Sequence, residues 1–326
     1  MNKTRLLIGA IIGVFFFSSC INEDEVTSEG NWVQRSYFEG SNRSNAASFS
    51  IDNSAFVMGG YTGEEYLNDF WEYNSDGDYW IKKADFPGKA RSNAVAFSID
   101  GKGYVGTGYD GTNKLNDFWE YDPENDTWKE VASFGGTARY NAIGFSLVGK
   151  GYIGTGYDGS EQKDFWQYDP TSDSWTQIIS MGGAKRQSAS VFVIGDVAYI
   201  GTGINNGSYE YDFWALNGNS LEWTRKNDLD YSDDYAVVRS EASAFSIGSY
   251  GYIVGGSVGS VLGSTWEYNP SDDTWEEKTP LEAVYRAGAS AFSVYDRAYV
   301  LLGRSSSLRF DDIYEFEPFV YYDEED

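Results

Sequence analysis

The chain has 326 residues, of which 41% are hydrophobic and 17% aromatic, so it is long enough to bury a large core. Its 50 acidic residues outnumber 24 basic ones, and a net charge of −26 argues against binding to nucleic acid or anionic lipid surfaces. It has no histidine and one cysteine, which excludes Ser–His triads, histidine-liganded zinc or copper, and intramolecular disulfides.

The first predicted element is a secretory signal peptide at residues 1–19. Two basic residues precede the apolar run from Leu6 to Phe17, which is shorter than the roughly 20 residues that span a bilayer. The following Ser18-Ser19-Cys20 resembles a bacterial lipobox, whose cysteine is acylated. We therefore expect a lipid anchor on Cys20, a tether over residues 20–31, and a location in the cell envelope at the outer membrane. The alternative is an ordinary signal peptide with an incidental cysteine.

Beyond this segment, tryptophan and arginine recur in phase with a period of about 48 residues. The tryptophans are Trp32, Trp80, Trp128, Trp175, Trp223 and Trp275. The arginines are Arg43, Arg91, Arg139, Arg186, Arg239 and Arg286. Six copies of one unit indicate a repeat architecture.

Each unit contains four short predicted strands. In the second unit, residues 93–99 and 103–108 are β-prone and flank a turn at Asp100-Gly101; residues 117–121 and a strand beginning near Trp128 flank a turn at Asp122-Pro123. A sheet of this size cannot bury both faces alone, so stacked neighbours must cover them. The sequence therefore predicts an all-β, six-bladed β-propeller over residues 32–326, with a short acidic C-terminal tail.

The ends of the chain predict how the ring closes. The last unit stops at Pro318 without a Trp-led strand, whereas the repeats begin with an unaccompanied strand at Trp32. We expect this N-terminal strand to complete the sixth blade.

These units resemble the Kelch repeat from Trp32 to Pro318. Gly59-Gly60 and Gly255-Gly256 match its paired glycines, and a Tyr-Asp-Pro turn followed by Trp matches its second half. Some bacterial Kelch propellers are sialic acid mutarotases, so the resemblance admits an enzyme. It does not imply a copper oxidase like galactose oxidase, because that site needs histidine ligands and a Cys-linked tyrosine.

The six arginines are the first candidate site. Each precedes the innermost strand of its blade, and the resemblance places them around one mouth of the central channel. One interpretation is a structural ladder between blades that pairs them with Asp69, Asp117, Asp164 and Asp212. The other is a pocket for a carboxylate or acidic sugar, bound by guanidinium groups.

Loops that differ between blades are the second candidate site. The loops after the second strand of the first three blades contribute Tyr61, Tyr109, Asp110, Tyr157 and Asp158. The spacing from Trp to Arg is 16 residues between Trp223 and Arg239 instead of 11. The extra residues bring in Asp228, Asp230, Tyr231, Asp233, Asp234 and Tyr235. They form either a solvated acidic loop or a weak Ca²⁺ site, although their spacing matches no EF-hand.

From these features we expect a membrane-anchored, monomeric binding module for a glycan or protein ligand, without a cofactor. One alternative is a mutarotase or epimerase acting on an acidic sugar such as sialic acid, for which the sequence identifies no catalytic residue. Another is a structural subunit of an envelope complex, which would expose a large flat patch.

Overall fold

The computed structural model describes residues 29–232 and 234–322, which form six four-stranded antiparallel sheets and three two-stranded hairpins. Within those ranges, no helix has the length and hydropathy of a membrane span. The predicted signal peptide and Cys20 lie outside the described residues.

The chain enters through β1 (Glu29–Gln34). Blade one is β2 (Ala47–Ile51), β3 (Ser54–Tyr61), β4 (Tyr66–Asn74) and β5 (Tyr79–Lys82). Blade two is β6 (Val95–Ile99), β7 (Lys102–Gly106), β8 (Phe118–Asp122) and β9 (Thr127–Val131). Blade three is β10 (Ile143–Leu147), β11 (Lys150–Gly154), β12 (Phe165–Asp169) and β13 (Ser174–Ile178).

The last three blades each carry an extra hairpin between their second and third strands. Blade four is β14 (Ser190–Ile194), β15 (Val197–Gly201), hairpin β16 (Ile204–Asn205) and β17 (Ser208–Tyr209), β18 (Trp214–Asn217) and β19 (Trp223–Arg225). Blade five is β20 (Ser243–Ile247), β21 (Tyr250–Val254), hairpin β22 (Ser257–Val258) and β23 (Ser260–Val261), β24 (Thr265–Asn269) and β25 (Thr274–Lys278). Blade six is β26 (Ser290–Val294), β27 (Arg297–Leu301), hairpin β28 (Arg304–Ser305) and β29 (Leu308–Arg309), β30 (Ile313–Tyr321) and β1.

The predicted six-bladed β-propeller is confirmed. In the second unit, the four strands β6 to β9 begin and end within about two residues of the predicted segments. The order of strands in each sheet follows the chain, and the innermost strands of neighbouring blades lie side by side around the axis.

Ring closure by the N-terminal strand is also confirmed. Strand β1 pairs antiparallel with β30, and Trp32 lies opposite Phe316 with 4.6 Å between ring centroids. Trp32 is 1% exposed, and its indole N–H donates to the carbonyl of Thr279 at 3.2 Å. Because β1 begins at Glu29, the last residues of the expected tether belong to the sheet.

Neighbouring blades pack a ring against a position without a large side chain. A Cβ at Gly103 of blade two would lie 2.2 Å from the Phe49 ring of blade one, and a Cβ at Gly151 would lie 2.3 Å from Phe97. The corresponding positions of the other blades are Ala55, Ala198, Gly251 and Ala298, all buried. The glycines of the second strand therefore serve the packing of the core.

Aspartates in the turn between the third and fourth strands connect successive blades. Asp126 accepts a hydrogen bond from the Tyr121 hydroxyl of its own blade at 2.8 Å and from the backbone N–H of Ala84, after blade one, at 3.1 Å. The same arrangement occurs at Asp78, Asp173 and Asp273. These turns, together with the aromatic contacts, fix the angle between blades.

Candidate functional site

The predicted arginines are structural in their surroundings. All six are at most 1% exposed. Arg91 donates from Nη1 and Nη2 to the two carboxylate oxygens of Asp117 at 2.7 and 2.6 Å, and also to backbone carbonyls of Lys89 and Thr107. Its guanidinium carbon lies 4.8 Å from the centroid of the Phe86 ring. A guanidinium held in this way has no donor left for a ligand.

The expected Arg–Asp pairing is present, but within blades instead of between them. The pairs are Arg43–Asp69, Arg91–Asp117, Arg139–Asp164, Arg186–Asp212 and Arg286–Asp312. The ladder between blades is therefore corrected, because both partners of each pair belong to the same sheet. Asp312 was missed since blade six lacks the Asp-Phe-Trp pattern, and in blade five Ser264 occupies the aspartate position.

These pairs depress the pKa of their aspartates. At Asp117, burial would raise the pKa, but the hydrogen bonds and positive charge of Arg91 outweigh it and lower the pKa below its usual value. Asp69 and Asp164 show the same balance with Arg43 and Arg139. The carboxylates stay ionised, and five of the six buried guanidinium charges are thus neutralised locally.

The channel neck is lined by one residue from each blade with positive φ. These residues are Asn45, Asn93, Asn141, Ser188, Glu241 and Gly288. Backbone hydrogen bonds run from one to the next around the axis, for example from the N–H of Asn93 to the carbonyl of Asn45 at 2.9 Å. Asparagine and glycine tolerate this conformation well. The neck encloses about 180 Å³ and presents amide side chains from blades one to three.

Around this neck, five tyrosines from blades one to three form a continuous row that we call the tyrosine arc. Its members are Tyr61, Tyr66, Tyr109, Tyr140 and Tyr157. Successive ring centroids lie 4.7, 5.9, 5.3 and 5.6 Å apart. Each ring is half-buried. The predicted Tyr61, Tyr109 and Tyr157 are thus brought together by two tyrosines that sequence reasoning missed.

Local backbone contacts hold the arc in place. Tyr61 and Tyr109 form bridges to the residues that follow the buried arginines, Ser44 and Ser92. The hydroxyl of Tyr109 donates to the carbonyl of Gly111 in its own loop at 2.8 Å, and that of Tyr61 does the same within its loop at 2.6 Å. The rings are therefore oriented before any ligand binds.

A comparison of the repeats with one another contains the signal for Tyr140. It occupies the position of Ser44 and Ser92, immediately after the buried arginine, and it bridges to Tyr157. Burial, with neighbouring tyrosines, raises the pKa of both Tyr66 and Tyr140 above the usual value. Both phenols stay neutral at physiological pH, so they offer ring faces and hydroxyl groups instead of charge.

The two rim aspartates shape loops. Asp110 pairs with Lys89 at 3.0 Å and accepts the backbone N–H of Thr112 at 2.9 Å. Asp158 accepts a hydrogen bond from the Thr137 hydroxyl at 2.7 Å. In both, burial would raise the pKa, yet hydrogen bonds lower it below the usual value. Their oxygens are already engaged with the protein.

The other half of the mouth is built differently. Where the first three blades place tyrosine, blades four to six place Ile204, Ser257 and Arg304 at the start of their hairpins. Arg304 reaches inward and pairs with Glu241 of the neck at 2.5 Å. The mouth therefore has an aromatic, amide-rich side and a side closed by an ion pair.

The lengthened segment before Arg239 is anchored at its ends. Leu229 and Val237 are fully buried, and the Tyr235 hydroxyl accepts the backbone N–H of Trp275 at 3.1 Å. Tyr231 is 70% exposed and Asp230 is exposed as well. The predicted Asp233 lies outside the described residues. In the described part of the chain, carboxylates nowhere gather in groups of three as a metal site would require.

Comparison with known proteins matches these features to one family. The model of the KLHDC2/KLHL20/DRC7 Kelch-repeats domain matches residues 27–203, more than half of the chain. The chain belongs to the Kelch-repeat family. A Kelch motif also matches residues 239–282, which cover blade five.

A solved Kelch-like relative in shape is the protein titled "Structure of YjhT". It superposes with a TM-score of 0.73 and covers 85% of this chain and 95% of that chain, at 15% identity. Similarity at this identity shows the fold alone. No curated protein sequence matches the chain.

Chemically, the mouth of this Kelch propeller offers oriented ring faces, phenol hydroxyls and carboxamides. The amide of Asn141 donates to Gln187, whose own amide donates to the buried Glu161 at 3.2 Å. The surface is suited to stacking and neutral hydrogen bonding.

Proposed function

We propose that the chain is a binding module whose mouth recognises a carbohydrate through the tyrosine arc and the asparagines of the neck. The observation that carries this proposal is the row of five half-buried rings beside three carboxamides. Sugar rings present apolar C–H faces that pack on aromatic rings, and their hydroxyl groups pair with amides. The concave mouth suits a small polar ligand better than a flat protein surface does.

Tethering of this module to the envelope is part of the proposal. The lipobox-like Ser18-Ser19-Cys20 supports it, because an acylated Cys20 would lie only a short distance before β1 at Glu29. Metabolic labelling with a palmitate analogue tests it. We expect labelled protein in the membrane fraction and loss of the label in Cys20→Ser; a labelled Cys20→Ser protein contradicts the anchor.

Glycan-array binding of the purified protein tests recognition, with Tyr109→Ala as the variant and Tyr295→Ala as its matched control. Tyr295 is 70% exposed in the turn between β26 and β27, at the far end of its blade. We expect binding to be lost in Tyr109→Ala and kept in Tyr295→Ala. Equal loss in both, or binding only to proteins, would reject the carbohydrate proposal.

A second candidate is a mutarotase acting on an acidic sugar, and Glu241 is the observation that favours it. This carboxylate lies in the neck, where it pairs with Arg304, and interconversion of anomers needs proton transfer. The test is the rate of anomer exchange of sialic acid by NMR, with Glu241→Gln as the variant. Catalysis that Glu241→Gln abolishes would favour the enzyme; an unchanged background rate with wild type rejects it.

A further inference from the structure

Five blades contain the same buried cradle for a carboxylate. In blade two, Asp117 receives both terminal nitrogens of Arg91 and, at 2.9 Å, the indole N–H of Trp119 two residues later. The indole of Trp71, Trp166 and Trp214 donates to the aspartate of its own blade in the same way. The side chains of the five aspartates are 12–26% exposed, so the cradle reaches solvent on that side.

Blade five keeps the cationic part of this cradle without the carboxylate. Arg239 is fully buried, and its donors reach only neutral oxygens, among them the Ser264 hydroxyl at 3.0 Å and the Ala236 carbonyl at 2.6 Å. Among the described residues, no carboxylate forms an ion pair with it. Burial lowers the pKa of this guanidinium to about 10, opposed by the charge of Glu277. The group stays protonated at neutral pH, with its charge unpaired.

A second donor of the blade-five cradle is also unused. Trp266 occupies the position of Trp119, and it pairs with Ile253 as Trp119 pairs with Val105. It is 3% exposed, and its buried indole N–H has no hydrogen-bond partner among the described residues. A buried donor without an acceptor costs roughly 1–3 kcal/mol, so an acceptor that enters here is favoured.

We propose that Arg239, Ser264 and Trp266 form a binding site for a small monovalent anion, which takes the place of the aspartate carboxylate of the other blades. Serine is shorter than aspartate by the atoms of a carboxylate group, and Ser264 is partly exposed, so the site has both room and access. One guanidinium charge balances one negative charge, which selects formate, acetate or chloride over sulfate.

Tyr235 makes the site particular to this blade. It comes from the lengthened segment, and its ring meets the Trp266 ring edge-on with 6.2 Å between centroids. In blade two the corresponding ring contact is made by Phe86, five residues before the arginine. The inserted residues therefore cover an anion site, which lies apart from the tyrosine arc of blades one to three.

Formate titration of the ¹⁵N-labelled protein tests the site through the indole N–H resonance of Trp266, which Trp266→Phe identifies. We expect a saturable shift with formate or chloride that gluconate at equal ionic strength does not produce. Saturation by formate alone would mark a carboxylate site, and saturation by both a general monovalent-anion site. A Trp266 resonance that moves equally in gluconate, or not at all, overturns the proposal.

Two variants sharpen the test. Ser264→Asp supplies a tethered carboxylate, so the formate shift should disappear; an undiminished shift in this variant contradicts the site. Asp117→Ser vacates the cradle of blade two, so the indole resonance of Trp119 should become sensitive to formate. A folded Asp117→Ser protein whose Trp119 ignores formate contradicts the proposal independently, even where Ser264→Asp does not fold.

Discussion

The buried arginines and the tyrosine arc lie side by side at the same mouth, yet they obey opposite rules. Every blade has its arginine at the same position, and each is at most 1% exposed. The five tyrosines come from only three blades, and each keeps part of its ring in solvent. Features shared by all blades hold the ring together, whereas features of a few blades face whatever the ring binds.

The largest expected effect comes from the repeated part. Arg91→Met removes a buried charge and leaves Asp117 without its partner, so we expect the free energy of unfolding to fall by about 3–5 kcal/mol. Urea denaturation measures it. The control is Arg225→Met, whose surface pair with Asp228 lies in solvent and whose loss should leave the midpoint unchanged. If both variants behave alike, the buried pairs are not what stabilises the blades.

Acid should weaken the same pairs. Because the pKa values of Asp69, Asp117 and Asp164 are lowered in the folded state, their contribution is complete above the unfolded value of 3.8 and is lost as the pH falls through the folded values. We expect the urea midpoint to hold from pH 7 to about 5 and to drop toward pH 2. In Arg91→Met the drop should be smaller; a drop of the same size would assign acid sensitivity to other groups.

The arc should respond in the opposite way to substitution. Tyr109→Ala removes the central ring, so we expect ligand affinity to fall about tenfold or more while stability falls by about 1 kcal/mol, the usual contribution of an aromatic pair. Calorimetric titration and urea denaturation give the two values. A stability loss as large as that of Arg91→Met would place Tyr109 in the scaffold instead.

The smallest expected effect separates the blades from one another. Tyr140→Ser gives blade three the residue that blades one and two have after their arginine. We expect a threefold to tenfold loss of ligand affinity, because one aromatic contact contributes about 0.5–1.5 kcal/mol. The fold should be unaffected. Unchanged affinity would limit the site to Tyr61, Tyr66 and Tyr109.

The fold was readable from the sequence because Trp32 and its repeats report a period, and a period dictates stacking. Closure by β1 followed from the same count. The mouth was readable only in part: Tyr61, Tyr109 and Tyr157 share a loop position, whereas Tyr66 and Tyr140 join them only through three-dimensional contact. The arginines deceived because position relative to a strand does not reveal burial, which depends on the facing aspartate and phenylalanine.

The most direct measurement of the central claim is a saccharide titration followed by the ring ¹H–¹³C resonances of the tyrosines. The ligand comes from the glycan array, and Tyr79 and Tyr295 serve as exposed internal references. Recognition by the tyrosine arc predicts shifts confined to Tyr61, Tyr66, Tyr109, Tyr140 and Tyr157. Shifts at the reference rings with an unmoved arc would contradict it.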